Sequence, residues 1–269
     1  MVPNLSAIMA VYAGDQVDAV EAAIDSIITQ TRQPDEFIVV IDGPIGDDLA
    51  SLLKSYAKRK LITLHPLAEN QGRGPARNFA ISKARGDVVA LMDADDISRP
   101  DRFASQLDFL VTNNLDVLGG FIAEFDNVPG DQNVIRRVPL DGAGIRSMVR
   151  FRSPFNHVTL MYARSFFEEI GGYGDLNFVE DWDFYLRAVN RKGRVANLPK
   201  ILVDVRAVQV RRRGWRYFRE EIVVLRSAYS RGQLSTLIYF LSIAIRVLKL
   251  ILPSFILSIL YRTVFRRSS

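Results

Sequence analysis

The chain of 269 residues carries 35 Lys+Arg, 30 Asp+Glu, two histidines and no cysteine. Without cysteine there are no disulfides, no thiolate catalysis and no Cys-based zinc or iron–sulfur centre, and two histidines are too few for a multi-histidine metal site. The formal charge of +5 conceals a division, because residues 1–190 hold 18 Lys+Arg against 27 Asp+Glu and residues 191–269 hold 17 against 3. The carboxyl-terminal part is therefore expected to face something anionic, either nucleic acid or lipid head groups. The opening Met1-Val2-Pro3-Asn4 lacks a basic stretch followed by an apolar signal core. The protein is accordingly expected in the cytoplasm or on the cytoplasmic face of the membrane.

In chain order, Leu5 to Val11 reads as a buried strand that ends at Tyr12-Ala13-Gly14-Asp15. Val17, Val20, Ile24, Ile27 and Ile28 then fall at helical spacing, and Pro34 closes that element. Phe37 to Ile41 forms a second strand that runs into Asp42-Gly43-Pro44. A helix from about Asp47 to Lys58 and a strand over Leu61 to Leu64 follow. This alternation predicts an α/β fold with a mostly parallel sheet, helices on both faces and ligands beyond the carboxyl ends of the strands. Asn70 to Asn78 reads as a loop entering a helix. Its glycines let backbone approach a ligand, and Arg73 or Arg77 could meet a phosphate. Equally it is a tight turn with a helix start, since it lacks the spacing of a dinucleotide fingerprint or a P-loop lysine.

The apolar run Val88 to Met92 reads as a buried strand broken by three carboxylates, Asp93, Asp95 and Asp96. Carboxylates packed at a strand end are costly unless a cation sits there, and Mg²⁺ or Mn²⁺ takes such oxygen ligands together with substrate phosphates. Asp93 and Asp95, two apart on a turn, could face one ion. The alternative is an acidic loop capping the helix that Pro100 announces near Asp101.

These segments form an ordered series. Val11-Tyr12 comes first, then Ser26-Ile27 with Gln30 and Pro34, then Val40-Ile41-Asp42-Gly43 and Asn70-x-Gly72 with Ala76-Arg77-Asn78. Met92 to Asp96 with Pro100 and Arg102, Gly171-Gly172-Tyr173, and Glu180-Asp181-Trp182-Asp183 complete it. Over roughly residues 5–190 the series resembles the family-2 glycosyltransferases. Within that family it looks most like bacterial exopolysaccharide and O-antigen transferases of the amylovoran-biosynthesis type, on Ile41 to Pro44 and Arg212-Arg213-Gly214.

The resemblance implies a GT-A (Rossmann-like) catalytic domain over residues 1–210, a sugar-nucleotide donor with UDP the usual nucleotide, a divalent metal (Mn²⁺ or Mg²⁺) and inversion at the anomeric carbon. It implies that Asp42 binds the nucleobase, that Val11 and Tyr12 line the same pocket, and that Arg77 contacts the nucleotide-sugar. Asp93 would meet the ribose or the metal, Asp95 would be the principal metal ligand and Asp181 the catalytic base. Inverting transfer needs a Lewis acid for the departing diphosphate and a carboxylate on the opposite face of the sugar, so residues from distant segments suit it. The acids at 180–183 also read as dipole-favoured residues of a helix's first turn. Glu180, Trp182 and His157 are candidates for the acceptor site; Trp182 is equally a core residue, and His157, before an expected strand over Val158 to Tyr162, equally a structural histidine. His65 reads as structural.

After a strand-like run from Ile201 to Val210, Arg211-Arg212-Arg213 reads either as a solvated loop or as a phosphate site, Arg212 and Arg213 gripping a donor diphosphate or a lipid pyrophosphate. Gln209, Arg212 and Trp215 lack the Q-x-x-R-W spacing of processive synthases. Residues 211–269 are expected to form a basic helical appendage. Ser235, Tyr239, Ser242, Arg246 and Lys249 draw one polar stripe on a broadly apolar helix, and a second begins after Pro253. The preferred reading is two helices in the membrane interface with basic residues toward anionic lipid. A pair of core helices is the second. A single span over 236–260 is the last, since it would bury Arg246 and Lys249 at mid-bilayer. Basic residues interleaved with Leu and Ile speak against nucleic acid. The expected activity is single-sugar transfer to a lipid-linked glycan, with a polyprenyl-phosphate sugar transferase and a non-catalytic scaffold as alternatives.

Overall fold

The computed structural model describes residues 2–207 and 214–251. Its amino-terminal half is a run of alternating elements: β1 (Leu5–Val11), α1 (Val17–Ile28), β2 (Glu36–Ile41), α2 (Asp47–Lys58), β3 (Thr63–Pro66), α3 (Arg73–Lys83) and β4 (Val88–Met92). These strands lie in the order β3-β2-β1-β4, all parallel, with Val11 opposite Ile41 and Met9 opposite Met92. Both faces are covered, which is why β1, β2 and β4 read as nearly unbroken apolar runs. Leu5, Ala7 and Met9 face Val20, Ile24 and Leu53 of α1 and α2. Ile8, Ile38 and Leu91 face Ala76 and Ala80 of α3. The strand expected at Leu61 to Leu64 starts two residues later, because the Leu61 N–H closes the end of α2 on Tyr56 O (3.1 Å).

Beyond β4 come β5 (Ile97–Ser98), α4 (Arg102–Thr112), β6 (Val117–Phe125), β7 (Val134–Arg136), α5 (Gly142–Val149), a 3₁₀ turn (His157–Thr159), β8 (Met161–Ala163), α6 (Arg164–Glu169), α7 (Glu180–Asn190), β9 (Val195–Arg206), α8 (Trp215–Ser230) and α9 (Thr236–Ile251). The sheet continues β4-β8-β6-β9-β5, with β7 on the side of β6. β8 is antiparallel to both β4 and β6, whereas β6 and β9 are parallel. The sheet is therefore mixed, and the expectation of a mostly parallel one holds for its first four strands only. The strand expected over Val158 to Tyr162 is a 3₁₀ turn followed by the short β8. Thr159 bends the chain there, its hydroxyl donating to Asn156 O (2.7 Å) and accepting from Gly120 N (3.0 Å).

Two buried polar side chains fasten β4 and α4 to the rest. Gln30 donates to Ser26 O (2.9 Å) and Arg99 O (2.7 Å) and accepts from Phe103 N (3.1 Å), which joins the end of α1 to the start of α4. Arg102, fully buried, donates to Leu91 O (2.7 Å) and Gln106 Oε1 (2.9 Å), directly behind the acidic turn. On the other face of the sheet α8 packs beside α7, and Val224, Leu225, Ala228 and Leu234 join the cluster that holds Trp182 and Phe184. Replacing Gln30 by Ala strands the Phe103 N–H and two carbonyls inside the protein. The expected loss is about 2 kcal/mol in urea unfolding at unchanged m-value; a loss below about 0.5 kcal/mol would mean these groups find other partners.

Candidate active site

Because β1, β2 and β4 are parallel neighbours, the residues that follow them emerge at one end of the sheet. At the end of β1, Val11 is fully buried and contributes only its carbonyl, which accepts from Asp42 N (2.7 Å). Its side chain therefore lines no pocket, contrary to expectation. Tyr12 beside it is exposed, and its N–H donates to Asp15 Oδ2 (2.9 Å). At the end of β2, Asp42 is buried and its two carboxylate oxygens accept from Gln71 N (2.7 Å) and Gly72 N (3.0 Å). The carboxylate thus folds the loop before α3 onto the strand. Two glycines make this possible. Gly43 (φ +83°) would drive a Cβ to 2.6 Å from Asn70 N, and Gly72 (φ +91°) holds the left-handed turn into α3.

That turn delivers Arg77, on α3, to the centre of the site. Its Nη2 donates to Asp93 Oδ1 (2.8 Å) and its Nη1 to Glu180 Oε1 (3.2 Å). Arg77 and Glu180 are buried, and 35% of the Asp93 side chain remains reachable by solvent. Arg77, expected to contact the nucleotide-sugar, thus bridges the turn after β4 and the start of α7. Asp95 lies on the same turn as Asp93, half-buried, while Asp96 is buried and accepts from Arg206 N (2.9 Å) at the end of β9. Asp181 is half-buried in the first turn of α7, and one of its oxygens accepts from Trp182 N (2.7 Å).

His157 is brought to this group, its Nδ1 sharing a hydrogen bond with the Tyr185 hydroxyl (2.6 Å) and its ring set edge-on to Tyr173. Trp182 is not. It is 3% exposed, donates its indole N–H to Val149 O (2.7 Å) and lies under the Arg246 guanidinium, 4.4 Å from the ring centroid. Stacking on an acceptor sugar is therefore excluded, and Trp182 is the core residue of the alternative. Arg212 and Arg213 lie outside the described residues.

The electrostatics are those of a crowded anionic group with one dominant internal cation. Burial works against the charge of Asp93, but Arg77, His157 and Arg73 outweigh it and hold its carboxyl below the usual range. Asp95 is pushed up by burial and by Asp93. Asp96 is pushed well up by burial, Asp93 and Asp95. Burial and the Asp181 charge lift Glu180 to about 7, against the pull of Arg77. Burial also raises Asp15 to about 6, with Asp95 and Asp93 adding to it. Asp15 and Arg206 are site residues that sequence reasoning missed. For Asp15 a signal existed, since Tyr12-Ala13-Gly14-Asp15 is the exit of β1; for Arg206 there was none, because only the pairing of β9 into the sheet carries it to Asp96.

Among the described residues no three His, Asp or Glu side chains group closely enough to cage a metal alone. The donor set instead suits a site completed by substrate. Asp93 and Asp95 supply hard oxygens on one turn, Asp15 adds negative potential, and the raised carboxyls mark charge that a cation would relieve.

Residues 6–171 match the sequence profile of glycosyl transferase family 2. The chain is 31% identical to the UDP-Gal:alpha-D-GlcNAc-diphosphoundecaprenol beta-1,3-galactosyltransferase of Escherichia coli, over 98% of both chains. It is 30% identical to the amylovoran biosynthesis glycosyltransferase AmsE of Erwinia amylovora, over 95% of this chain and 97% of that one. Among solved structures it resembles S. aureus TarS 1-349 in complex with UDP-GlcNAc (TM-score 0.66, 19% identity, 93% of this chain and 68% of that chain). It also resembles the mannosyltransferase PcManGT of Pyrobaculum calidifontis in complex with GDP-Man and Mn²⁺ (TM-score 0.63, 19% identity, 86% and 65%). These two likenesses speak for the fold, which is the α/β fold of GT-A glycosyltransferases. With its motifs in family order and two relatives matched end to end, the chain belongs to glycosyl transferase family 2.

Proposed function

We propose that this glycosyltransferase moves a single sugar, with inversion, from a UDP-sugar to a lipid-linked glycan on the cytoplasmic face of the plasma membrane, in the synthesis of a cell-surface polysaccharide. The observation that supports the reading is Arg77, which donates both to Asp93 of the acidic turn and to Glu180, the residue before Asp181, at the start of α7. The acceptor class is supported by the E. coli relative, whose name specifies a diphosphoundecaprenol-linked GlcNAc acceptor and a UDP-Gal donor.

Asp95, with Asp93, would hold the divalent ion, whose chemistry is to offset charge building on the leaving diphosphate. The chain's own residues do the rest. Asp42 and the loop it folds shape the nucleoside end, with Tyr12 as the exposed side of that pocket. Asp181, half-buried in the first turn of α7, takes the proton of the acceptor hydroxyl as the new glycosidic bond forms and the diphosphate leaves. Glu180 and His157 flank it on the acceptor side. Arg212 and Arg213 are proposed as phosphate contacts on their chemistry alone, since guanidinium forks suit phosphate oxygens.

The test is release of nucleotide from a panel of UDP- and GDP-sugars with Mn²⁺, Mg²⁺ or EDTA, in detergent with membrane lipid extract. Metal-dependent release from one donor, abolished in Asp95→Ala, is the expected result; metal-independent donor binding without turnover would point to a scaffold instead. Asp181→Asn is expected to lower kcat of transfer by about 10²–10⁴-fold while donor KM changes little. Transfer that survives the substitution would favour a polyprenyl-phosphate acceptor, which arrives ionised and needs no base.

The raised carboxyls give a second test. Asp15 (about 6) and Glu180 (about 7) hold protons in the folded state that the unfolded chain has already released, so the metal-free protein loses stability as pH rises from about 4.5 to about 7. In EDTA the Tm is expected to be lower near about pH 7.5 than near about pH 5.5, and Mn²⁺ is expected to raise Tm more at the higher pH. A Tm in EDTA that climbs steadily across that interval would contradict the charge arrangement.

A further inference from the structure

The polar stripe of α9 faces inward. Ser242 and Arg246 are buried, at 0% and 2% exposed, with the Ser242 hydroxyl donating to Arg150 O (3.3 Å) and Arg246 Nη2 to Phe151 O (2.9 Å). Arg246 also pairs with Glu221 of α8 (3.2 Å) and stacks on Trp182. The expectation that Arg246 turns toward anionic lipid is therefore wrong: Glu221, two carbonyls and an indole face hold it against the catalytic domain. What this leaves outside is the apolar arc. Leu237, Phe240, Leu241, Ile245, Leu248 and Ile251 recur at intervals of 3, 1, 4, 3 and 3, and their exposure runs from 36% for Ile245 to 77% for Leu237. A contiguous apolar face of this kind marks an interaction surface.

We propose that this outer face of α9 is the surface by which the protein seats itself on an anionic lipid bilayer, the helix lying in the plane of the interface with its polar stripe locked to the domain. The proposal rests on the membrane-bound reading above and specifies the surface that meets the lipid. Charge selects the occupant: the sequence from 191 to 269 carries 17 Lys+Arg against 3 Asp+Glu, and α8, the helix that packs on α9, exposes Arg216, Arg219 and Arg226. A basic segment that carries an apolar face matches anionic head groups above acyl chains, whereas two copies of such a segment would repel. The helix is proposed to lie on the bilayer rather than through it because Ser242 and Arg246 fasten its other face to the catalytic domain, through Arg150 O, Phe151 O and Glu221.

The chain has no cysteine, so single introduced thiols report cleanly. Phe240→Cys, Leu248→Cys and, on the exposed side of α2, Lys54→Cys would each carry an environment-sensitive fluorophore on the full chain. Vesicles of phosphatidylglycerol and phosphatidylcholine are expected to blue-shift and brighten the labels at 240 and 248 and leave the label at 54 unchanged. Labels at 240 and 248 already blue-shifted in buffer would mean that residues 252–269 or a second copy cover the face, and would overturn the proposal. In flotation, Leu237→Asp combined with Phe240→Asp and Leu248→Asp is expected to weaken vesicle binding about tenfold or more, as is the use of neutral vesicles with the unaltered chain. Equal binding in either case would overturn it. Vesicle binding is read without donor, and nucleotide release in detergent, so a wrong donor or acceptor assignment fails separately.

Discussion

The Arg77 guanidinium is the constraint on which the site depends. It is buried, and burying a charge is costly unless carboxylates and hydrogen bonds compensate it. Asp93 and Glu180 supply that compensation from segments 16 and 103 residues away. Removing both acids would leave an uncompensated buried charge, and removing one would leave one side of the guanidinium fork without its partner. The two contacts together fix the acidic turn relative to the first turn of α7. Arg77 in turn stands where it does because Asp42 folds the preceding loop and because Gly43 and Gly72 permit that fold. Three strand ends and one helix start are thus ordered by a short chain of polar contacts.

Arg77 supplies one positive charge, and the group around it holds more negative charge than that. Asp15, Asp93, Asp95, Asp96 and Glu180 crowd the same end of the sheet, and four of the five have carboxyls raised by burial and by neighbouring carboxylates, Asp181 in the case of Glu180. Arg73 and Arg206 act on the group from its margins. A fold optimised for stability alone would not gather these acids behind β4. Their retention is the electrostatic ground for the proposed cation, which would complete its coordination from a diphosphate rather than from a protein cage.

Much of the amino-terminal half was legible from the sequence, because strands covered on both faces must be apolar throughout and helices between them must alternate. β1, α1, α2 and β4 follow directly from that rule. The roles of individual motif residues were less so. Gln30 and Arg102, which belong to the family pattern, hold α1, α4 and β4 together, and Trp182 is packed beneath Arg246. Short spacing in sequence marks such residues without saying whether they face substrate or core. The second half of the sheet was opaque for a different reason. β8 is three residues long and lies between β4 and β6 through non-local pairing, which no local period announces.

The periodicity of α9 identified its two faces and gave no indication of which one turns outward. A helical wheel is symmetric in that respect, and only tertiary partners break the symmetry. Glu221 and the carbonyls of Arg150 and Phe151 do so by claiming Arg246 and Ser242. The consequence reaches the chemistry. Arg246 stacks on Trp182, whose neighbour in the first turn of α7 is Asp181, so α9 and the proposed base are joined through one cation–aromatic contact rather than through a flexible tether. On the proposed reading, a helix resting on lipid then holds Asp181 at a set height above the bilayer. A lipid-linked acceptor presents its hydroxyl at a height set by the sugars already attached. Rigid packing of α9 would in that way make the length of the acceptor glycan, as well as its chemistry, a determinant of which hydroxyl is used.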